Sequence, residues 1–195
     1  MIDPLYQLLR HLTTPVVAVT TSAGGRRNGM IANSAQRASL VPSVPRISLY
    51  ISKINLTHDL IYASGVFGVH LLRNDQWDLI WKLGLESGRT HDKLEGLELR
   101  IGETGCPLLV DVRVAFECRV VNAMDAGAAT FFLGDIVSVH EGPPAPVMTS
   151  DYFRANMDDE KRRIYEAKLD EAQRLLEPLA RMVEPKPWPG PTVAP

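Results

Sequence analysis

From Val16 to Thr21 the chain is almost unbroken in apolar and β-branched residues, bounded by Thr14-Pro15 on one side and Gly24-Gly25 on the other. That pattern predicts a strand over Pro15–Thr21 feeding a hairpin. The partner strand begins at Asn28, but after Ile31 its residues turn small and hydroxyl- or amide-bearing as far as Ser39. Little side-chain bulk fills a core poorly, yet it lets backbone N–H and C=O groups approach a flat ligand. After the proline-broken loop Val41–Pro45 the pattern alternates, with Ile47, Leu49 and Ile51 on one face of a strand and Arg46, Ser48 and Tyr50 on the other. Asn55 or Thr57 can cap a helix that carries Leu56, Leu60 and Ile61 and ends near Gly65.

Further strands are expected over Phe67–Leu72, Val110–Val121 and Thr130–Val139, and a helix over Asp75–Leu83, capped by Asn74 or Asp75, with Trp77, Ile80 and Trp81 for packing. Asp3-Pro4 with Leu5, Leu8 and Leu9 reads as a short helix that lids the sheet. From Met157 to Val183 a charged helical stretch carries Ile164, Leu169, Leu175, Leu176 and Leu179 toward one stripe, with Pro178 expected to kink it. The segment 184–191 favours an extended polyproline-like path, and Trp188 there is read as docking on a second subunit or as part of a disordered tail. The expected division is a domain over 1–150 and a C-terminal helix and tail over 151–195 that packs on it or on a dimer partner.

Composition narrows the choice of partners. The 195 residues suit one such domain, and 45% apolar with 23% charged residues is the balance of a globular chain. A net charge of −2 offers no basic footprint, so nucleic acid and anionic membrane are not expected partners. Cys106 and Cys118 lack the spacing of a disulfide framework or metal motif. No signal-like start or membrane-length apolar run is present, so the expected location is cytoplasmic.

Several segments in order carry a resemblance: Val16–Thr21, the Gly-rich turn, Asn28–Ser34, Ser39-Leu40-Val41-Pro42, Pro45–Leu49, Asn55-Leu56-Thr57-His58, Ser64–His70, Ser87-Gly88-Arg89 with Asp92-Lys93, Phe116–Arg119 and Phe131–Asp135. Together they resemble the flavin reductase-like FMN-binding split barrels over residues 12 to 140. The resemblance implies a mainly β fold with peripheral helices, a homodimer, noncovalent FMN rather than FAD, and NAD(P)H as co-substrate. It also implies that the segment Ile31–Ser34 runs beside the isoalloxazine with contacts from Ala32, Asn33 and Ser34, and that the phosphate sits among Ser52, Lys53, Asn55 and Thr57; Met30, Ile31 and Ser39 are further cofactor-binding candidates. Unpaired N–H groups at the helix start and the helix dipole favour an anion there, although an ordinary capped helix beside a solvated lysine is the alternative.

Arg89 and Lys93 are candidates to stabilise charge on the reduced ring, against the alternative of a solvated loop. No catalytic side chain is expected beyond the flavin, because the cofactor carries the chemistry. One departure stands out. Many reductases of this family carry Gly-Asp-His before the last barrel strand, where this chain has Gly127-Ala128-Ala129, so the usual nicotinamide imidazole is missing. The expected activity is transfer of reducing equivalents from NAD(P)H through FMN to flavin, a ferric complex or another acceptor. The alternatives are an FMN-bearing carrier fed by a redox protein such as a ferredoxin, and a non-catalytic flavin binder.

Overall fold

The structure, a computed structural model, describes residues 4–12 and 14–183. The expected Asp3 cap and the segment 184–191 with Trp188 lie outside the described residues. A short helix α1 (Pro4–Leu9) precedes the hairpin β1 (Val17–Ala23) and β2 (Arg26–Ala32), followed by β3 (Gln36–Arg37), β4 (Arg46–Ser52), α2 (Leu56–Ser64), β5 (Val66–Leu71) and α3 (Trp77–Leu85). The chain continues through β6 (Leu99–Ile101), β7 (Pro107–Leu109), β8 (Val114–Asp125), β9 (Ala129–Glu141), α4 (Ser150–Asn156) and α5 (Asp159–Ala180). Seven strands form one curled antiparallel sheet in the order β2-β1-β5-β8-β9-β4-β3, and β6 with β7 makes a separate hairpin.

Burial explains why β1 reads as a continuous apolar run. It is a central strand with core on both faces: Val17 and Val19 pack inside the curl with Ile47, Leu49, Ile51, Phe67 and Phe132, whereas Val16 and Ala18 face outward onto Leu72, Ile80, Leu83, Met148 and Phe153. The strand β4 is covered on one side only, and its residues alternate as expected, with Ile47, Leu49 and Ile51 buried. Phe153 and Met157 are buried in the same cluster as Ile80, so the first turns beyond residue 150 complete the core of the sheet domain.

Some boundaries move. The helix α3 starts at Trp77 after Gln76, because the Gln76 side chain closes the preceding turn instead, accepting from the Arg73 amide and donating to the Asp111 carbonyl. The last two long strands continue past the expected ends to Asp125 and from Ala129, leaving only a tight turn at 126–128. The hairpin of β6 and β7 was not visible in the glycine-punctuated stretch around Gly102 and Gly105. Pro178 lies within the last turn of α5, where it removes one intrahelical bond without ending the helix.

His70 and Glu117 fasten that hairpin. The buried imidazole bridges the Ala18 carbonyl, through Nδ1–H at 3.1 Å, and the Leu109 amide, which donates to Nε2 at 3.1 Å. Burial pushes its pKa down to about 4. The Glu117 carboxylate accepts from the amides of Glu103 and Thr104 and the hydroxyls of Thr104 and Ser138, at 2.6–3.0 Å. Burial alone would raise its pKa, but these four donors outweigh it and hold the carboxyl below its ordinary value.

Candidate functional site: a seam between two strand edges

The curled sheet does not close. β2 ends one side of it with no strand beyond, and on the other side β3 covers β4 only at Ile47 and Ser48. The outer edges of β2 and of Tyr50–Ser52 are therefore free of further strands among the described residues, and the Ser34 hydroxyl, donating 2.7 Å to the Tyr50 carbonyl, ties the two sides together. An unpaired edge presents obligatory donors and acceptors, so this seam is where a planar heterocycle could find backbone partners.

Side chains of the cradle point away from that edge. Met30 and Ala32 pack into the interior of the curl, while Ile31 packs with the outer core against Gly84 of α3. Asn33 is exposed and Ser34 half-buried. On the α3 side, Ile31, Ala32 and Asn33 border a cavity of about 270 Å³ walled by Trp81, Phe153 and Tyr165. The tryptophans pack as expected, Trp77 stacking on Phe153 with centroids 5.7 Å apart.

About 17 Å back along the strand, by the rise from Asn33 to Asn28, the seam ends at the start of α2. Asn55 occupies the cap position of that helix without a side-chain cap bond; the His58 amide donates to the Asn55 carbonyl at 3.0 Å, and the amides of Leu56 and Thr57 are the ones an anion could take. Thr57 is buried and accepts from Asn28 Nδ2 at 2.9 Å. Asn28 Oδ1 is a buried acceptor with no partner. A side chain at position 88 would overlap the Asn28 carboxamide, so glycine is required for the loop after α3 to close here. That closure brings Arg89 over the turn, where its guanidinium donates to Asp59 at 3.0 Å and to the Ile54 carbonyl at 3.3 Å.

Lys53 completes the rim. Its ammonium is 2.8 Å from both oxygens of Asp125, and its amide donates to the Ala128 carbonyl of the β8–β9 turn. The lysine, with the Gly127 amide, holds the Asp125 carboxyl below its ordinary pKa. Arg26 and Arg27 stand beside Gly88 and Asp92 at the neighbouring hairpin tip.

Of the residues expected at a flavin, Ser52, Lys53, Asn55, Thr57 and Arg89 thus gather at one end of the seam, and Met30, Ile31, Ala32, Asn33 and Ser34 line its length. Two do not join them. Ser39 lies at a second cavity with Leu40, Val41 and Pro42, where its hydroxyl accepts from the Val41 amide. Lys93 stands apart: its ammonium is buried and donates 2.7 Å to the Leu83 carbonyl in the last turn of α3, and burial lowers its pKa to about 8. A cation on a helix C-terminal carbonyl is a favourable structural pairing. Arg89, too, stands beside the helix start and not along the cradle.

Sequence reasoning passed over Asn28, Gly88, Asp59 and Asp125 as site residues. Only Asn28 had a local signal, being a polar residue at the head of an apolar strand segment; the others depend on contacts across 30 to 72 positions.

The sequence profile of the flavin reductase like domain matches residues 9–158, and the chain belongs to that family. A ferric-chelate reductase (NAD(P)H) of Archaeoglobus fulgidus is 34% identical over 137 residues, covering 69% of this chain and 80% of that one. A high molecular weight rubredoxin of Moorella thermoacetica is 34% identical over 150 residues, 74% of this chain but only 63% of the relative's length. Among solved structures, the NADH:FAD oxidoreductase of Streptomyces globisporus superposes with a TM-score of 0.66 at 26% identity, covering 75% of this chain and 90% of that one.

Proposed function

We propose that the chain is an NAD(P)H-dependent flavin oxidoreductase that holds noncovalent FMN along the seam. The observation that carries this reading is the conjunction, at one end of a free strand edge, of an uncapped helix start, two cationic side chains and a buried acceptor without a partner. The donor set suits the group. Amides at the start of α2 with Lys53 and Arg89 suit a phosphate, Asn28 Oδ1 lacks the kind of donor that a polyhydroxyl chain carries, and the β2 edge suits the amide-like rim of a flavin. When bound, FMN supplies the two-electron chemistry that links a pyridine nucleotide to flavin, ferric complexes or another acceptor.

The residues have distinct tasks in this reading. Lys53 and Arg89 neutralise the phosphate while Asp125 and Asp59 keep both cations positioned on the rim. Asn28 fixes Thr57, and so the angle of the helix start, against the strand edge. The cores on the two faces of β2 hold that edge rigid, which favours one orientation of the ring over many.

The names of the relatives support this reading, the ferric-chelate reductase and the NADH:FAD oxidoreductase both being pyridine-nucleotide enzymes by name. A second reading is an electron carrier fed by a protein donor. It is favoured by the 126–128 turn, which offers no imidazole, and by the rubredoxin relative. A homodimer fits the exposed apolar strip of Val121, Met124, Phe131, Val137 and Val139 on the β8–β9 ribbon, and sedimentation of the purified chain tests it. No helix among the described residues is long and apolar enough to cross a membrane, and two free buried cysteines fit a reducing, cytoplasmic setting.

The test is an anaerobic absorbance titration of the FMN-loaded protein with NADH and, separately, NADPH. Bleaching of the flavin band within seconds is expected with at least one of them. If dithionite bleaches the band and neither nucleotide does, the carrier reading replaces the reductase.

A further inference from the structure

The helix α5 is built unlike the rest of the molecule. It runs for 22 residues, yet none of them is fully buried. One face is nevertheless half-covered throughout, with Tyr165, Leu169, Ala172, Leu176 and Leu179 recurring at helical spacing. Tyr165 packs on the outer core, and the rest of the stripe is only partly covered along its length.

The two ends of α5 are anchored at the two ends of the seam. Near its start, Tyr165 meets Phe153 edge-on with centroids 5.8 Å apart, and the Lys161 ammonium lies 5.9 Å from the Trp81 ring. Trp81, Phe153 and Tyr165 wall the cavity that Ile31 and Asn33 share. At its finish, the helix presses on Gly127. A Cβ there would stand 2.7 Å from the Leu179 carbonyl oxygen and 2.7 Å from Val183, and the φ of +74° already favours glycine. Gly127 belongs to the turn whose Asp125 and Ala128 hold Lys53. About 21 Å of helix, from Tyr165 to Leu179, therefore joins the ring end to the phosphate end.

We propose that α5 is a strap across the seam that retains the flavin, so that FMN is a resident group rather than an exchanging substrate. The inference rests on the FMN reading above. The end of α5 takes the space over this turn, which leaves no room for a side chain at Gly127.

Stopped-flow release of FMN, followed by its fluorescence after dilution, tests the strap. Gly127→Ala and Leu176→Asp should speed release by about tenfold or more, while Leu175→Asp, on the exposed face, should match the wild-type rate. Hydrogen exchange of the unsubstituted protein gives a second readout, because added FMN should slow exchange of amides between Tyr165 and Leu179. If FMN binds but all four proteins release it at one rate, or α5 exchange is unchanged by FMN, the strap is overturned and the flavin site stands. If the wild-type chain binds no FMN, the site itself falls and takes the strap with it.

Discussion

Two clusters in this molecule gather polar groups around a loop, and they are finished to different degrees. At Glu117 every donor in reach is used: two amides and two hydroxyls converge on one carboxylate, and a side chain on Gly102 would overlap it. At the start of α2 the helix is uncapped, Asn28 Oδ1 has no partner, and cations stand on the rim with only exposed or half-exposed carboxylates for company. A folded chain rarely leaves a buried acceptor unpaired, because the cost is about 1–3 kcal/mol. The closed cluster therefore reads as architecture, and the open one as a place that a ligand completes.

The contrast can be broken most forcefully from the closed side. Glu117→Ala strands four donors at once and should cost about 3–5 kcal/mol of stability, the range for breaking a buried charged network. Urea unfolding measures it. The folded fraction should still bind FMN with its original affinity, since Glu117 takes no part in the seam; a selective loss of FMN affinity would erase the distinction.

Acid acts on the same closed side through His70. Its folded pKa, about 4, lies below the ordinary 6.5, so between these values the unfolded chain binds more protons than the native one. Stability from this group is complete above pH 6.5 and is lost as pH falls toward 4, by about 3 kcal/mol in all. Urea midpoints measured from pH 7 to 4 should show that fall, and His70→Gln should flatten the part of the slope that this histidine contributes.

From the open side, Lys53→Ala combined with Thr57→Ala should weaken FMN binding by about 100-fold, the worth of one charge-assisted contact and one well-placed polar group. Thr57 also serves Asn28, so a modest loss of stability should accompany the loss of affinity. Fluorescence titration of the folded double variant gives the affinity. An unchanged dissociation constant would remove the helix start as the phosphate site.

What the sequence made legible follows from the range of the interactions. The strand of alternating Ile47, Leu49 and Ile51 and the helix ending at Gly65 are local patterns, and the structure contains both, whereas β2 ends at Ala32 and the small residues after it lie outside the strand. The seam itself is a property of sheet order, since β2 and β4 become free edges only once four strands lie between them. Gly88 and Gly127 look like ordinary loop glycines until a distant carboxamide or helix end is packed against them. The role of α5 was equally hidden: its stripe was readable only in part, Leu169, Leu176 and Leu179 lying on it while Ile164 and Leu175 are exposed, and what it covers is decided by its two anchors.

Lys93 gives the smallest expected effect and the sharpest check on which cations belong to the open cluster. In the sequence it sits in a charged run after Ser87-Gly88-Arg89 and looks equivalent to Arg89; in the fold it is buried against the end of α3. With a pKa of about 8 it still carries its charge at pH 7, at the expense of desolvation. Lys93→Met keeps the aliphatic stem, removes that desolvated charge and leaves the Leu83 carbonyl without its donor, so gain and loss should cancel to within about 1 kcal/mol. The FMN dissociation constant should stay within about twofold, because no phosphate contact is removed. Tenfold weaker binding by a variant of unchanged stability would return Lys93 to the flavin and show that the burial of a charge is no guide here to what it serves.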